Sequence, residues 1–75
     1  MKRYEIKFEI KVWLLANGTE RKTLTINVSG KNKENAVLQL IKSLDLDVIK
    51  FLNKDLEKAF SFEIEEIKSV KLIKD

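Results

Sequence analysis

Few residues in this chain could do chemistry, and the carboxylates come first. Glu63, Glu65 and Glu66 lie close together, as do Asp45 and Asp47. Glu63 and Glu65 share a strand face and are of the type that holds a hard cation, but no calcium-type loop surrounds either group. They read as solvated charge. Ser29, Ser43, Ser61 and Ser69 lack a base partner, because the chain contains no histidine. Cysteine is absent too, which excludes thiolate nucleophiles, disulfides and thiolate metal sites. With only Gly18 and Gly30 and no proline, phosphate-cradling glycine loops and proline-rich linkers are excluded as well. Acid–base catalysis would then need a carboxylate with a raised pKa in a pocket. A chain of 75 residues builds only a thin core, with little room for such a pocket. No catalytic, metal-binding or cofactor-binding residue is assigned, and no small-molecule substrate is expected. The expectation is a protein that is not an enzyme.

Charge supplies the one asymmetry. Residues 1–33 carry eight basic side chains against three acidic ones, while the remainder carries seven against nine. The parts therefore stand at +5 and −2 within a total of +3, and both arginines, Arg3 and Arg21, belong to the first. Arg3, Lys7 and Lys11 recur on one side of the opening segment, with Trp13 and Leu15 continuing the same row. A tryptophan among cations on a sheet face can stack a nucleobase and hold its phosphates. The glutamates Glu5 and Glu9 dilute that signal. Contact with a protein partner or a second copy is the favoured role for Trp13, and folding over the sheet edge is a further alternative.

These side chains must be positioned by strands and helices, and the periodicity names them. Tyr4, Ile6, Phe8, Ile10, Val12 and Leu14 are apolar at every second position, the pattern of a strand with one buried face. Leu24, Ile26 and Val28 make a second strand, and Asn17-Gly18 between the two is a hairpin signal. A two-residue loop would send the two apolar rows to opposite faces. A bulged three-residue loop, Ala16-Asn17-Gly18, keeps them together and pairs Ile10 with Leu24, Phe8 with Ile26 and Trp13 with Arg21. That pairing allows a cation–π contact between Arg21 and Trp13.

Asn32 is placed to cap a helix whose apolar stripe is Ala36, Val37, Leu40, Ile41 and Leu44. Asp47 is expected to cap a second helix, stapled by Leu46 and Phe51, with Val48, Ile49, Leu52, Leu56 and Ala59 as its stripe. One kinked helix over 33–59 is the alternative. Phe60, Phe62 and Ile64 restart the period of two, and Val70 and Leu72 resume it after a break at Glu65-Glu66-Ile67. A bulge near Glu66 explains the break within one long third strand; a turn making two short strands is the alternative. A right-handed crossover makes that strand parallel to the second and antiparallel to the first. The expectation is a single α+β domain over 1–75, with ββααβ order, a three-stranded sheet in the order 2-1-3, and both helices on one face.

Surplus apolar side chains remain after this core is filled: Trp13, Leu15, Leu38, Phe51, Ile67 and Ile73. Ile67 and Ile73 on the wet side of the third strand could join Trp13 and Leu15 in a contact patch. The second and third strands are edges, open to strand addition. The candidate interaction surface is therefore Arg3, Lys7, Lys11, Trp13, Leu15, Arg21, Ile67 and Ile73. These features read as a small non-catalytic regulatory protein, of the kind phages and mobile elements carry, that binds another protein or itself. A nucleic-acid module using the basic hairpin is the alternative. The opening segment has no apolar run behind its basic residues and nothing approaches the ~20 residues of a membrane helix, so an intracellular, non-membrane setting is expected. The ββααβ order is shared by many unrelated modules and implies no function by itself.

Overall fold

The computed structural model describes residues 1–16 and 18–74. The elements run β1 (Lys2–Leu14), β2 (Gly18–Gly30), α1 (Lys33–Ser43), α2 (Leu46–Leu52), a 3-10 turn (Lys54–Leu56) and β3 (Ala59–Lys74). The strands form one antiparallel sheet in the order β2-β1-β3, with the two helices packed against it. This is the expected α+β architecture, and the chain between β2 and β3 forms two helices.

The even-numbered residues of β1 make the core. Tyr4, Ile6, Phe8, Ile10, Val12 and Leu14 are all buried, while their odd-numbered neighbours are half-buried or exposed. From above, Ala36, Leu40, Leu44, Ile49 and Leu56 close over them. Burying such a row of large aliphatic and aromatic side chains is what lets so short a chain offset the entropy of ordering it. Neither helix is long and apolar enough to cross a membrane.

The hairpin register differs from the expected one by two residues. Phe8 lies opposite Leu24, Ile6 opposite Ile26 and Tyr4 opposite Val28, with Leu14 opposite Gly18. A shift of two preserves which face each side chain takes, so apolar patterning alone cannot choose between the two pairings. The consequence for the surface is large: Arg21 lies opposite Lys11, and Trp13 lies opposite Thr19. Gly18 takes a left-handed φ of 73°, the conformation a tight reversal needs and glycine adopts without strain. Asn17, the other half of the turn signal, falls outside the described residues.

The helices begin where small polar side chains can accept backbone protons. Asn32 Oδ1 accepts from the Asn35 amide at 2.8 Å and starts α1 as expected. For α2 the cap is Asp45, whose Oδ1 accepts from the Val48 amide at 2.9 Å, rather than Asp47. The apolar clasp moves back with it: Leu44 before the cap and Ile49 inside the first turn are both buried, whereas Phe51 is 86% exposed. Asn53 then stops α2, because its Oδ1 accepts from the Asp55 amide and starts the 3-10 turn carrying Leu56. The stripe expected to continue to Ala59 is thus divided among three elements. Asp45→Ala should lower stability by about 1 kcal/mol in urea unfolding. Asp47→Ala, which loses only a favourable charge near the helix start, should cost about 0.3 kcal/mol. The reverse ranking would refute the assignment.

β3 is one continuous strand, and its register against β1 slips four times. Each slip inserts one extra residue, at Phe60, Glu65, Lys68 and Ile73 in turn. Two of these insertions flank the expected bulge at Glu66. Between the slips, Phe62, Ile64, Ile67, Val70 and Leu72 lie opposite the buried residues of β1. Two expectations fail here. Phe60 is an exposed inserted residue, with Ala59 buried in its place, and Ile67 faces the helices opposite Phe8. Every inserted residue inverts the facing of the residues beyond it, so a period of two counted through β3 misassigns its sides.

Candidate interaction face

β1 presents Arg3, Glu5, Lys7, Glu9, Lys11 and Trp13 on the sheet face opposite the helices. Flanking them on β2 are Thr19, Arg21, Thr23, Thr25, Asn27 and Ser29, all exposed. Flanking them on β3 are Ser61, Glu63, Glu66, Ser69 and Lys71. No element covers this surface among the described residues.

Trp13 is half-buried at the hairpin end, between Thr19 and Ser61. The ammonium of Lys11, two residues back on the same face, sits 5.2 Å from the centre of the indole ring. A cation at that distance is held by the negative face of the ring. The contact expected from Arg21 is therefore made by Lys11, because the register carries Arg21 two positions away. Its guanidinium turns instead across β1 to the third strand, where Nε donates to Glu65 Oε1 at 2.6 Å. The Arg21 side chain is 60% exposed, so this pair is weakened by solvent. A double-mutant cycle with Arg21→Ala and Glu65→Ala should return a coupling of about 0.2–1 kcal/mol that shrinks in concentrated salt. A coupling that salt leaves unchanged would contradict that reading.

The glutamates of β3 decide the electrostatics of the face. Glu63 lies opposite Lys11, Glu66 lies opposite Glu9, and Lys68 bonds Glu66 at 3.3 Å. Both rows carry both signs, with Lys11 opposite Glu63, Glu5 opposite Lys71 and Glu9 opposite Glu66, so the face is a mixture of signs. Among the described residues, no three acidic side chains gather to hold a metal ion. The acidic trio of the sequence is spread along β3, with Glu65 paired to Arg21, Glu66 to Lys68, and Glu63 opposite Lys11 in register.

The predicted surface residues do not all assemble. Arg3, Lys7, Lys11, Trp13 and Arg21 share the open face. Leu15 is 79% exposed in the hairpin turn beside it rather than within the strand row. Ile67 is on the helix side, and Ile73 is inserted between the pairs made by Arg3 and Tyr4, at the other end of the sheet from Trp13. What the sequence pattern missed is Phe60. It is 55% exposed and inserted next to the Trp13–Ser61 pair, so the apolar members of the hairpin end are Trp13, Leu15 and Phe60. Only the buried Ala59, one residue earlier, could have signalled the change of side. On the helix side of the same end, two open hollows are lined largely by Lys50, Lys54, Asp55, Glu57 and Lys58.

No family model, curated protein or solved structure matches the chain.

Proposed function

We propose that this chain is a small non-catalytic interaction module of regulatory type. It works inside the cell and docks another protein through the hairpin end of its open sheet face. The observation that carries the reading is the half-buried Trp13 on an uncovered face, between Thr19 and Ser61, with Lys11 over its ring and Arg21 and Glu63 one pair further along. Tryptophan and arginine dominate the energetics of protein interfaces, and a rim of mixed charge gives them specificity. Leu15 and Phe60 extend the apolar centre.

Nucleic-acid binding is the second reading, favoured by the Lys11–Trp13 contact and by Arg3 and Lys7 in the same row. Against it stand Glu63 and Glu66, placed where a phosphate backbone tracking that row would meet them.

A photo-reactive amino acid at position 61, exposed beside Trp13 and introduced in the producing cells, tests the proposal. A discrete protein adduct is expected from position 61 and not from position 34, which is exposed at the start of α1. Trp13→Ala should then weaken the captured complex by about 2 kcal/mol or more, roughly thirtyfold. Adducts that form equally from position 34 would defeat the proposal, as would adducts that nuclease removes. The nuclease outcome would favour the second reading, in which Trp13→Ala lowers single-strand affinity by about 1–3 kcal/mol.

A further inference from the structure

The two edges of the sheet are not equivalent. The β3 edge is interrupted by four inserted residues, the kind of irregularity that keeps edge strands from pairing with other chains. The β2 edge has none: its thirteen residues pair with β1 from Gly18 to Gly30 without one slip. Its charges are confined to Glu20, Arg21 and Lys22, and of these Glu20 and Lys22 point to the helix side. From Thr23 to Gly30 the edge carries no charge, no proline and no bulge. That stretch also carries Leu24, Ile26 and Val28 on the core side, with Ile26 and Val28 only half-buried.

We propose that the β2 edge pairs antiparallel with the β2 edge of a second copy, with Thr25 on the two-fold axis, giving a continuous six-stranded sheet. Three observations select this arrangement. Keeping both helical layers on one side of the joined sheet requires that even-numbered residues meet even-numbered ones. With Thr25 opposite its own counterpart, Leu24 meets Ile26 twice, and Lys22 lays its aliphatic stem against Val28. Glu20, Arg21 and Lys22 each face an uncharged residue: Gly30, Ser29 and Val28. Sliding one step further, to centre on Ile26, sets Arg21 opposite Lys31. Sliding back to centre on Leu24 or Thr23 sets the Glu20 carboxylate against Val28 or Ile26 and loses both Leu24–Ile26 pairs, and centring on Lys22 or Arg21 sets like charges on the axis. An isologous two-fold contact of this kind closes on itself and leaves only the bulged β3 edges outside.

The absence of cysteine makes the register directly testable. Opposed residues in an antiparallel pair have Cβ atoms about 4.5–5.5 Å apart, close to disulfide reach. Under mild oxidation Thr25→Cys should cross-link into a two-chain species, whereas Thr19→Cys, far from the axis, should not. In sedimentation equilibrium from micromolar to millimolar concentration, the parent chain should move from one chain mass to two. Thr25→Lys, which sets two ammonium groups on the axis at an exposed position, should raise the dissociation constant about tenfold or more while leaving the circular dichroism unchanged. A parent that keeps one chain mass throughout would overturn the proposal and leave the edge to a strand of another protein. So would dimerisation that Thr25→Lys does not weaken, or cross-linking from position 19 as fast as from position 25. Thr25 pairs with Lys7, six residues along β2 from Thr19, the partner of Trp13, so the outcome of Thr25→Cys and Thr25→Lys is independent of docking at the hairpin end.

Discussion

Replacing Phe8 by alanine should remove about 3–5 kcal/mol of stability, the usual loss for a large aromatic deleted from a packed interior. Phe8 is fully buried in the central strand, between Leu24 on one side and Ile67 on the other. With neighbours on both strands and the helices above, the void it leaves has few ways to collapse. A chain of 75 residues has a total stability of about 4–11 kcal/mol at the usual 0.05–0.15 kcal/mol per residue. The substitution therefore consumes a large part of it, and much of the variant should be unfolded at growth temperature. Phe51→Ala is the matched control. The same side chain is removed from α2, where it is 86% exposed, and the change should stay within about 0.5 kcal/mol. Urea unfolding monitored by circular dichroism measures both. Similar midpoints for the two variants would mean that the placement of the core is wrong.

Gly30→Ala should be nearly as damaging, for a different reason. A Cβ at position 30 would lie 2.7 Å from the Ala36 amide nitrogen and 2.8 Å from its Cα. Both are backbone atoms of α1, which cannot swing aside as a side-chain tip can. The helix has to lift from the sheet, a disturbance in the upper part of the 1–3 kcal/mol range for overpacking. At about 4–8 °C per kcal/mol for a domain this small, the melting temperature should fall by roughly 10–20 °C. Ala36→Gly in the same chain should restore little, because it removes only the Ala36 Cβ, the third neighbour at 3.0 Å. Gly18→Ala separates sterics from backbone conformation. Nothing lies within 4 Å of a Cβ there, but φ is 73°, so the cost should be about 1 kcal/mol from the left-handed backbone alone. Full rescue of Gly30→Ala by Ala36→Gly would contradict this account.

The parts of this architecture written in alternation are legible in the sequence, and the parts written in counting are not. β1 can be read residue by residue, because six apolar positions in strict alternation have one physical solution, a half-buried strand. Asn32 is legible because nothing near it competes as a cap. Asp45 and Asp47 are both acceptable caps two residues apart, and what separates them is whether Leu44 or Leu46 reaches the core. The hairpin register is invisible to facing, since a slide of two leaves every side chain on its own side. A pattern of facing can therefore match Arg21 to Trp13 while Lys11 occupies the ring. β3 hides most. Its break at Glu66 announces one insertion, yet the insertions at Phe60 and Ile73 sit near its ends and leave too few residues beyond them to show a change of phase. An uninterrupted count of two therefore puts Ile67 on the wrong side of the sheet and assigns the exposed Phe60 to the core.

The position of β1 in the middle of the sheet has a consequence for how the chain acquires its shape. One flank of β1 is completed by β2 through pairs separated by only 4 to 28 residues, so the hairpin can close locally. The other flank waits for β3, whose pairs with β1 span 45 to 71 residues. Closing loops of that length carries an entropic cost that must be met before the pairing rewards it, so this step should set the folding rate. During synthesis, the most apolar strand leaves the ribosome well before its second partner and stays unpaired along one flank until β3 has emerged.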